Sequence, residues 1–192
     1  MTIDAPRIEA AVTELLAAIG EDTARPGLVD TPRRVAESYA DFFSGIGLDP
    51  VEPLRNAGVL DAGSGELGEL VLLRHVAFRS ICEHHMLPFL GVAHLAYVPR
   101  EQIVGLGRLP KVLTILSARP QLQERLGEQV ADAFQEGLDP LGVLVVLEAR
   151  HDCISARGAR QTESSTVTIA SRGTLADPTL QAGVLSLIGG IA

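Results

Sequence analysis

The sequence contains only two cysteines, few cations and no long apolar run. No stretch approaches the roughly 18 consecutive apolar residues of a membrane-spanning helix, and the first residues lack the basic and apolar regions of a secretion signal. We therefore expect a cytoplasmic protein with no membrane partner. Glycine (19) and proline (11) are too scarce for a fibrous or disordered chain, so the 192 residues indicate a globular protein.

The chain has fewer basic than acidic residues: 16 Lys and Arg compared with 24 Asp and Glu, which gives a formal net charge of −8. A protein that neutralises many phosphates shows a basic surface, so nucleic-acid binding is not expected. A single nucleotide remains compatible with this charge, because one triphosphate needs only a local cluster of cations.

Two helices are predicted in an N-terminal region that we place at residues 1–65. Apolar residues recur at helical spacing over residues 7–19. A second helix should begin at Thr31, which can cap it, with Pro32 in the first turn. Residues 66–192 would form the main domain.

The main domain is predicted to mix strands and helices. β-Branched and apolar runs predict strands over residues 67–79, 90–98, 142–149 and 164–171. Helical spacing predicts helices over residues 109–119, 120–135 and 178–188, with Gly137 ending the second of these.

Two short clusters, Cys82-Glu-His-His85 and His151-Asp-Cys153, hold both cysteines and three of the five histidines. A thiolate and an imidazole three positions apart reach one ion from a single turn. A thiolate from another strand would complete zinc ligation by Cys82, His85 and Cys153. Three protein ligands leave one coordination position open, as in catalytic zinc sites.

Other interpretations of these residues stay open on the sequence alone. The two cysteines could form a disulfide, Cys82 could be a small buried hydrophobe, and His84 or His85 a hydrogen-bonded core histidine. If a metal is bound, His84 and His151 are unligated imidazoles beside it, suited to proton transfer near neutral pH. Either could instead donate a hydrogen bond to a metal ligand.

The chain closely resembles GTP cyclohydrolase I in four runs: SICEHHMLPFLGVAHLAYVP, QLQERLGEQVA, EARHDCISARG and DTPRRVAESY. The resemblance spans about residues 30–173. It implies a zinc enzyme that converts GTP and water to 7,8-dihydroneopterin triphosphate and formate, the first step toward tetrahydrofolate and related pterins. Residues 66–192 would be its catalytic domain.

The resemblance also implies roles for individual side chains. His151 would protonate nitrogen 7 of guanine so that activated water attacks carbon 8, and His84 would assist later proton transfers. Glu124 would anchor guanine, whose N1–H and amino group offer two parallel donors to one carboxylate. Gln123 would help to position the base or ribose. The triphosphate would be bound by four cations: Arg108, Lys111, Arg157 and Arg34.

The fold that the resemblance implies is the α+β tunnelling fold, in which two helices back an antiparallel sheet. Five such sheets would join edge to edge into a barrel, and two rings would stack as a decamer, so that open edge strands become paired. Active sites would then lie between subunits.

The chain departs from the usual family pattern at several positions. Gly107 and Arg108 stand where Ser and Lys are usual, and Lys111 where Arg is usual. Gly107 lacks a hydroxyl that can bind phosphate. Residues 181–183 replace an Arg-Glu-Phe-like segment. These differences motivate two rivals: a paralogue that stops at the ring-opened formamide or serves a specialised pathway, and a non-catalytic nucleotide-binding member of the fold.

Overall fold

A computed structural model describes residues 3–55, 60–61, 69–100 and 102–189. No described helix has both the length and the apolar character that crossing a bilayer requires. The helices are α1 (Ala5–Ala18), α2 (Thr31–Phe42), α3 (Glu52–Arg55), α4 (Leu109–Ser117), α5 (Gln123–Leu138), α6 (Asp152–Ser155) and α7 (Pro178–Ile188). The strands are β1 (Leu60–Asp61), β2 (Val71–Cys82), β3 (Pro88–Val98), β4 (Gln102–Ile103), β5 (Pro120–Gln121), β6 (Gly142–His151) and β7 (Thr166–Gly173).

A five-stranded sheet organises the main domain, in the order β5-β2-β3-β6-β7. Strands β2, β3, β6 and β7 are antiparallel neighbours, whereas β5 pairs with β2 in parallel. The α+β class is therefore confirmed, but the sheet is mixed rather than antiparallel. The short strands β1 and β4 form a separate antiparallel pair.

The main core lies between one face of this sheet and helices α4 and α5. Because side chains alternate along a strand, every second residue of β3 and β6 points toward these helices. Each large apolar side chain buried here contributes about 1.5–3 kcal/mol relative to exposure. Those that are at most 1% exposed include Leu95, Tyr97, Leu113, Leu126, Phe134, Val145 and Leu147.

The opposite face of the sheet carries a smaller apolar cluster that includes α7. Val184 and Ile188 of this helix pack with Val146 of β6. Asp177 caps the helix by accepting hydrogen bonds from the N–H groups of Thr179 and Leu180. The helix predicted over residues 178–188 is thus confirmed.

Helix α5 begins later than predicted, at Gln123 rather than at residue 120. Pro120 and Gln121 extend the sheet instead, and Leu122 is extended, with φ −108° and ψ 141°. The buried Gln121 side chain donates to Leu116 O at 2.9 Å, which holds the segment beside β2.

The end of α5 also differs from the prediction, because Gly137 lies inside the helix. Asp139 ends it instead, in a left-handed conformation with φ 42°. A β-carbon on Gly137 would lie 2.7 Å from Leu54 Cδ1. Glycine is therefore required there for close packing rather than for termination.

Strands β2 and β6 run further than predicted, to Cys82 and His151. The sequence predicts instead that Cys82 and His151 lie in the loops that follow strands ending at residues 79 and 149. The correction matters for function, since a strand holds its side chains more rigidly than a loop does.

The N-terminal helices α1 and α2 are confirmed and pack against each other. Thr31 is the first residue of α2 and does not cap it, since Asp30 occupies the cap position. Leu15 and Ile19 of the predicted apolar stripe are 60% and 67% exposed. The domain boundary placed at residues 65–66 lies outside the described residues and stays a prediction.

Candidate metal centre

Three side chains predicted as metal ligands come together at one end of the sheet. The ligand atoms of Cys82, His85 and Cys153 all lie within 4.8 Å of one another. Cys82 is buried, Cys153 is half-buried and His85 is exposed. In the described part of the chain, no other group of three His, Cys, Asp or Glu residues is close enough to hold an ion.

A tight turn after β2 brings His85 back toward Cys82. The N–H of Cys82 donates to Leu87 O at 2.8 Å, and the N–H of Met86 donates to Cys82 O at 2.9 Å. Met86 adopts a left-handed conformation with φ 53°, which is uncommon for a residue with a side chain. The chain therefore reverses over a few residues, with both ligands on the same turn.

Strand pairing delivers the third ligand from a distant part of the sequence. Strand β3 lies between β2 and β6, with Pro88 opposite Ile81 and Phe89 opposite His151. The ends of β2 and β6 are thus neighbours on either side of the start of β3. Cys153 follows two residues later, in the short helix α6.

The donor set fits a zinc ion. Both cysteines are free thiols. Burial raises the pKa of the Cys153 thiol, and the neighbouring Cys82 sulfur raises it further. Two adjacent thiolates are therefore unfavourable without a cation, whereas zinc binds thiolates and imidazole and keeps them deprotonated. A tetrahedral ion held by three protein donors has one position for water or substrate.

His151, predicted as a proton donor, lies at the end of β6 beside this cluster. Its ring stacks on Phe89, with centroids 4.7 Å apart and planes 3° from parallel. Its Nε2 lies 2.7 Å from Gln123 Oε1. Burial lowers the pKa of His151, and the negative charges of Glu124 and Asp152 oppose this shift.

His84, Gln123 and Glu124, three further predicted site residues, differ sharply in exposure. His84 is exposed, and its ring lies 6.2 Å from that of His85 at 88°. Gln123 is only 1% exposed, and its hydrogen bonds are made inside the protein. Glu124 is exposed in the first turn of α5, and its charge reaches His151.

The predicted phosphate-binding cations are not all brought together in one chain. Arg108 and Lys111 line a shallow cavity of about 300 Å³ with Gly105, Leu106 and Gly107, and no metal ligand lines that cavity. Arg157 is exposed close enough to Cys153 for its charge to act on the thiol.

Arg34 is the most separate of the four cations. It lies on α2, which packs mainly against α1. Its side chain is 65% exposed and forms a 3.4 Å ion pair with Asp30. The structure does not bring it to the metal cluster.

An ion pair that the sequence did not predict ties the turn carrying Cys82 and His85 to α5. The guanidinium of Arg125 binds both carboxylate oxygens of Glu83 and lowers the pKa of that carboxyl. The N–H of Glu83 donates to Gln121 O at 3.0 Å. Glu83 stands in the first of the two clusters and Arg125 in the run QLQERLGEQVA, but only the fold shows that they meet.

Comparison with known proteins identifies close sequence relatives over nearly the whole chain. The profile of the family described as GTP cyclohydrolase I matches residues 8–189. A protein named GTP cyclohydrolase 1 from Leifsonia xyli subsp. xyli is 55% identical over 186 residues, covering 97% of this chain and 96% of the relative. One of the same name from Acetivibrio thermocellus is 46% identical and covers 98% of this chain and 99% of the relative.

Proposed function

Because this chain belongs to the GTP cyclohydrolase I family, we propose that it opens the imidazole ring of GTP at a zinc ion held by Cys82, His85 and Cys153. The products would be 7,8-dihydroneopterin triphosphate and formate. The observation that carries the proposal is the convergence of these three donors within 4.8 Å in a chain that matches the family over residues 8–189. We also propose that the protein works in the cytoplasm.

Ring opening needs an acid at nitrogen 7 of guanine and a nucleophile at the adjacent carbon 8. Carbon 8 of guanine is a poor electrophile until nitrogen 7 is protonated, and His151 would give that proton. A zinc ion held by Cys82, His85 and Cys153 would supply Lewis acidity for this step. His84, which is exposed, would move protons in the later hydrolysis that releases formate, before the ribose rearranges and the new ring closes.

The cations and the metal cluster would meet across subunits. Arg108 and Lys111 line a cavity separate from the cluster, and Arg34 lies on another helix pair. A barrel of five sheets, stacked as a decamer, would place these cations from neighbouring chains against the triphosphate, together with Arg157. It would also pair the open edge strand β7.

Product analysis tests the proposed reaction. Zinc-loaded protein should consume GTP and release formate in equal amount, with a pterin triphosphate identified by mass. A product that retains the formyl carbon would support the arrested paralogue instead. GTP left intact by a fully loaded protein would contradict the proposal and favour a non-catalytic nucleotide-binding protein.

Replacing Glu124 should weaken recognition of guanine. Glu124→Gln is expected to raise KM for GTP about 10- to 100-fold with a smaller effect on kcat, because an amide offers one acceptor where the carboxylate offers two. The control is Glu128→Gln, the same change one turn later, where the side chain binds Arg172 at the surface. Similar affinities of the unmodified protein for GTP and ATP would contradict the role of Glu124.

A hydroxyl at position 107 should strengthen binding of the triphosphate. No heavy atom outside its chain neighbours lies within 4 Å of a β-carbon built on Gly107, so a side chain fits without rearrangement. Gly107→Ser is expected to lower KM for GTP about tenfold, the effect of one hydrogen bond to a charged group. Gly107→Ala controls for the loss of glycine. Equal KM values for the two variants would show that the hydroxyl does not reach phosphate.

A further inference from the structure

The side-chain amide of Gln123 is almost completely enclosed, with 1% of the residue exposed. Its Nε2 lies 3.0 Å from Leu147 O, 2.9 Å from Thr166 O and 3.2 Å from Thr168 Oγ1. Backbone carbonyl oxygens only accept hydrogen bonds, so the amide nitrogen must face them. The surrounding acceptors therefore determine which end of the amide is the oxygen.

The oxygen end of this amide faces His151. Gln123 Oε1 lies 2.7 Å from His151 Nε2. An amide oxygen accepts and cannot donate, so Nε2 must carry the proton. Turning the imidazole over would place a ring carbon against the oxygen and lose the bond. Neutral His151 is therefore the Nε2–H tautomer, with its lone pair on Nδ1.

Stacking on Phe89 also restricts the orientation of the His151 ring. Phe89 lies opposite it in the strand register and stacks on it at 4.7 Å. Any tilt of the imidazole gives up this stacking as well as the hydrogen bond. Among the described residues, Nδ1 has no hydrogen-bond partner, so this nitrogen is left for substrate.

We propose that Gln123 is a positioning residue that acts through His151, holding its Nε2–H and leaving Nδ1 to exchange a proton with the nucleotide. This inference rests on the proposed function and replaces direct contact with base or ribose as the role of Gln123. When His151 gives its Nδ1 proton to nitrogen 7 of guanine, the neutral ring left behind is already the tautomer that Gln123 stabilises. No ring rotation or second proton transfer is then needed to restore the hydrogen bond.

Kinetics of two matched variants test the positioning role. Gln123→Met keeps the length of the side chain and removes both its donor and its acceptor. It should lower kcat about 100-fold, the effect of misplacing a reacting group, while KM for GTP stays unchanged. Gln135→Met makes the same change further along α5, where the amide donates to Pro140 O at 3.4 Å, and should change neither constant. An unchanged kcat, or a raised KM alone, would overturn the inference.

A spectroscopic measurement on the unmodified enzyme does not depend on whether Gln123→Met folds. The zinc-loaded protein, labelled with ¹⁵N-histidine at mildly alkaline pH, should show the Nε2–H pattern for His151, assigned by its loss in His151→Ala. A slowly exchanging Nε2 proton is expected, and an Nδ1–H pattern would overturn the inference. Protein that leaves GTP intact but shows the Nε2–H pattern would instead refute the proposed function alone.

Discussion

Cys153→Ser protein should purify without bound zinc and should turn over GTP at least about a thousandfold more slowly than the unmodified enzyme. A serine hydroxyl is not deprotonated near neutral pH and does not replace a thiolate ligand. Loss of the ion removes several kcal/mol of transition-state stabilisation, and each 1.36 kcal/mol is tenfold in rate. Metal analysis and formate release on the same sample measure both effects.

Ile154→Ser is the matched control for this variant. It introduces the same side chain one residue later, at a position that is 39% exposed. Zinc content and activity should both be retained. A Cys153→Ser protein that keeps one zinc per chain and full activity would remove Cys153 from the ligand set.

His151→Ala should separate metal binding from chemistry. The variant is expected to keep its zinc, because none of the three donors is changed, and to lose ring opening by about 10²- to 10⁴-fold, the usual contribution of a general acid. Zinc content and the rate of GTP consumption are the two measurements. A zinc-replete variant with full activity would refute the role of His151 in proton transfer.

His75→Asn is the control for removal of a histidine elsewhere. His75 is exposed on β2 and has φ 56°, a left-handed conformation that asparagine tolerates. Activity should be unchanged, which would show that the loss in His151→Ala is specific to its position.

Local patterns in the sequence were enough to predict much of the fold. Helix α7 matches its predicted bounds because Asp177 and Pro178 form a strong start signal that acts on neighbouring residues. The ends of α5 were wrong for non-local reasons. Pairing with β2 holds Gln121 in a strand, and the proximity of Leu54 explains Gly137. Such contacts are absent from any local window of sequence.

The candidate site also contains some residues that the sequence predicts and others that only the fold brings together. The convergence of Cys82, His85 and Cys153 could be predicted, because donor type and spacing are typical of a metal site. The Glu83–Arg125 pair and the enclosed amide of Gln123 could not, since their partners are distant in sequence and meet only in the folded chain.

Apolar periodicity predicted α1 correctly, but it does not say what covers the helix. Leu15 and Ile19 stay 60% and 67% exposed against α2 alone. In the proposed oligomer, neighbouring chains would cover them, and a contact between subunits cannot be predicted from one window of sequence.

X-ray absorption of the zinc-loaded enzyme tests the central claim most directly, that two thiolates and one imidazole hold the ion and leave one position for substrate. We predict two sulfur neighbours at about 2.3 Å from zinc and two nitrogen or oxygen neighbours at about 2.0–2.1 Å. One of the two nitrogen or oxygen neighbours should change when GTP is added. Zinc bound with no sulfur neighbours, or with four protein ligands unaffected by GTP, would contradict the account.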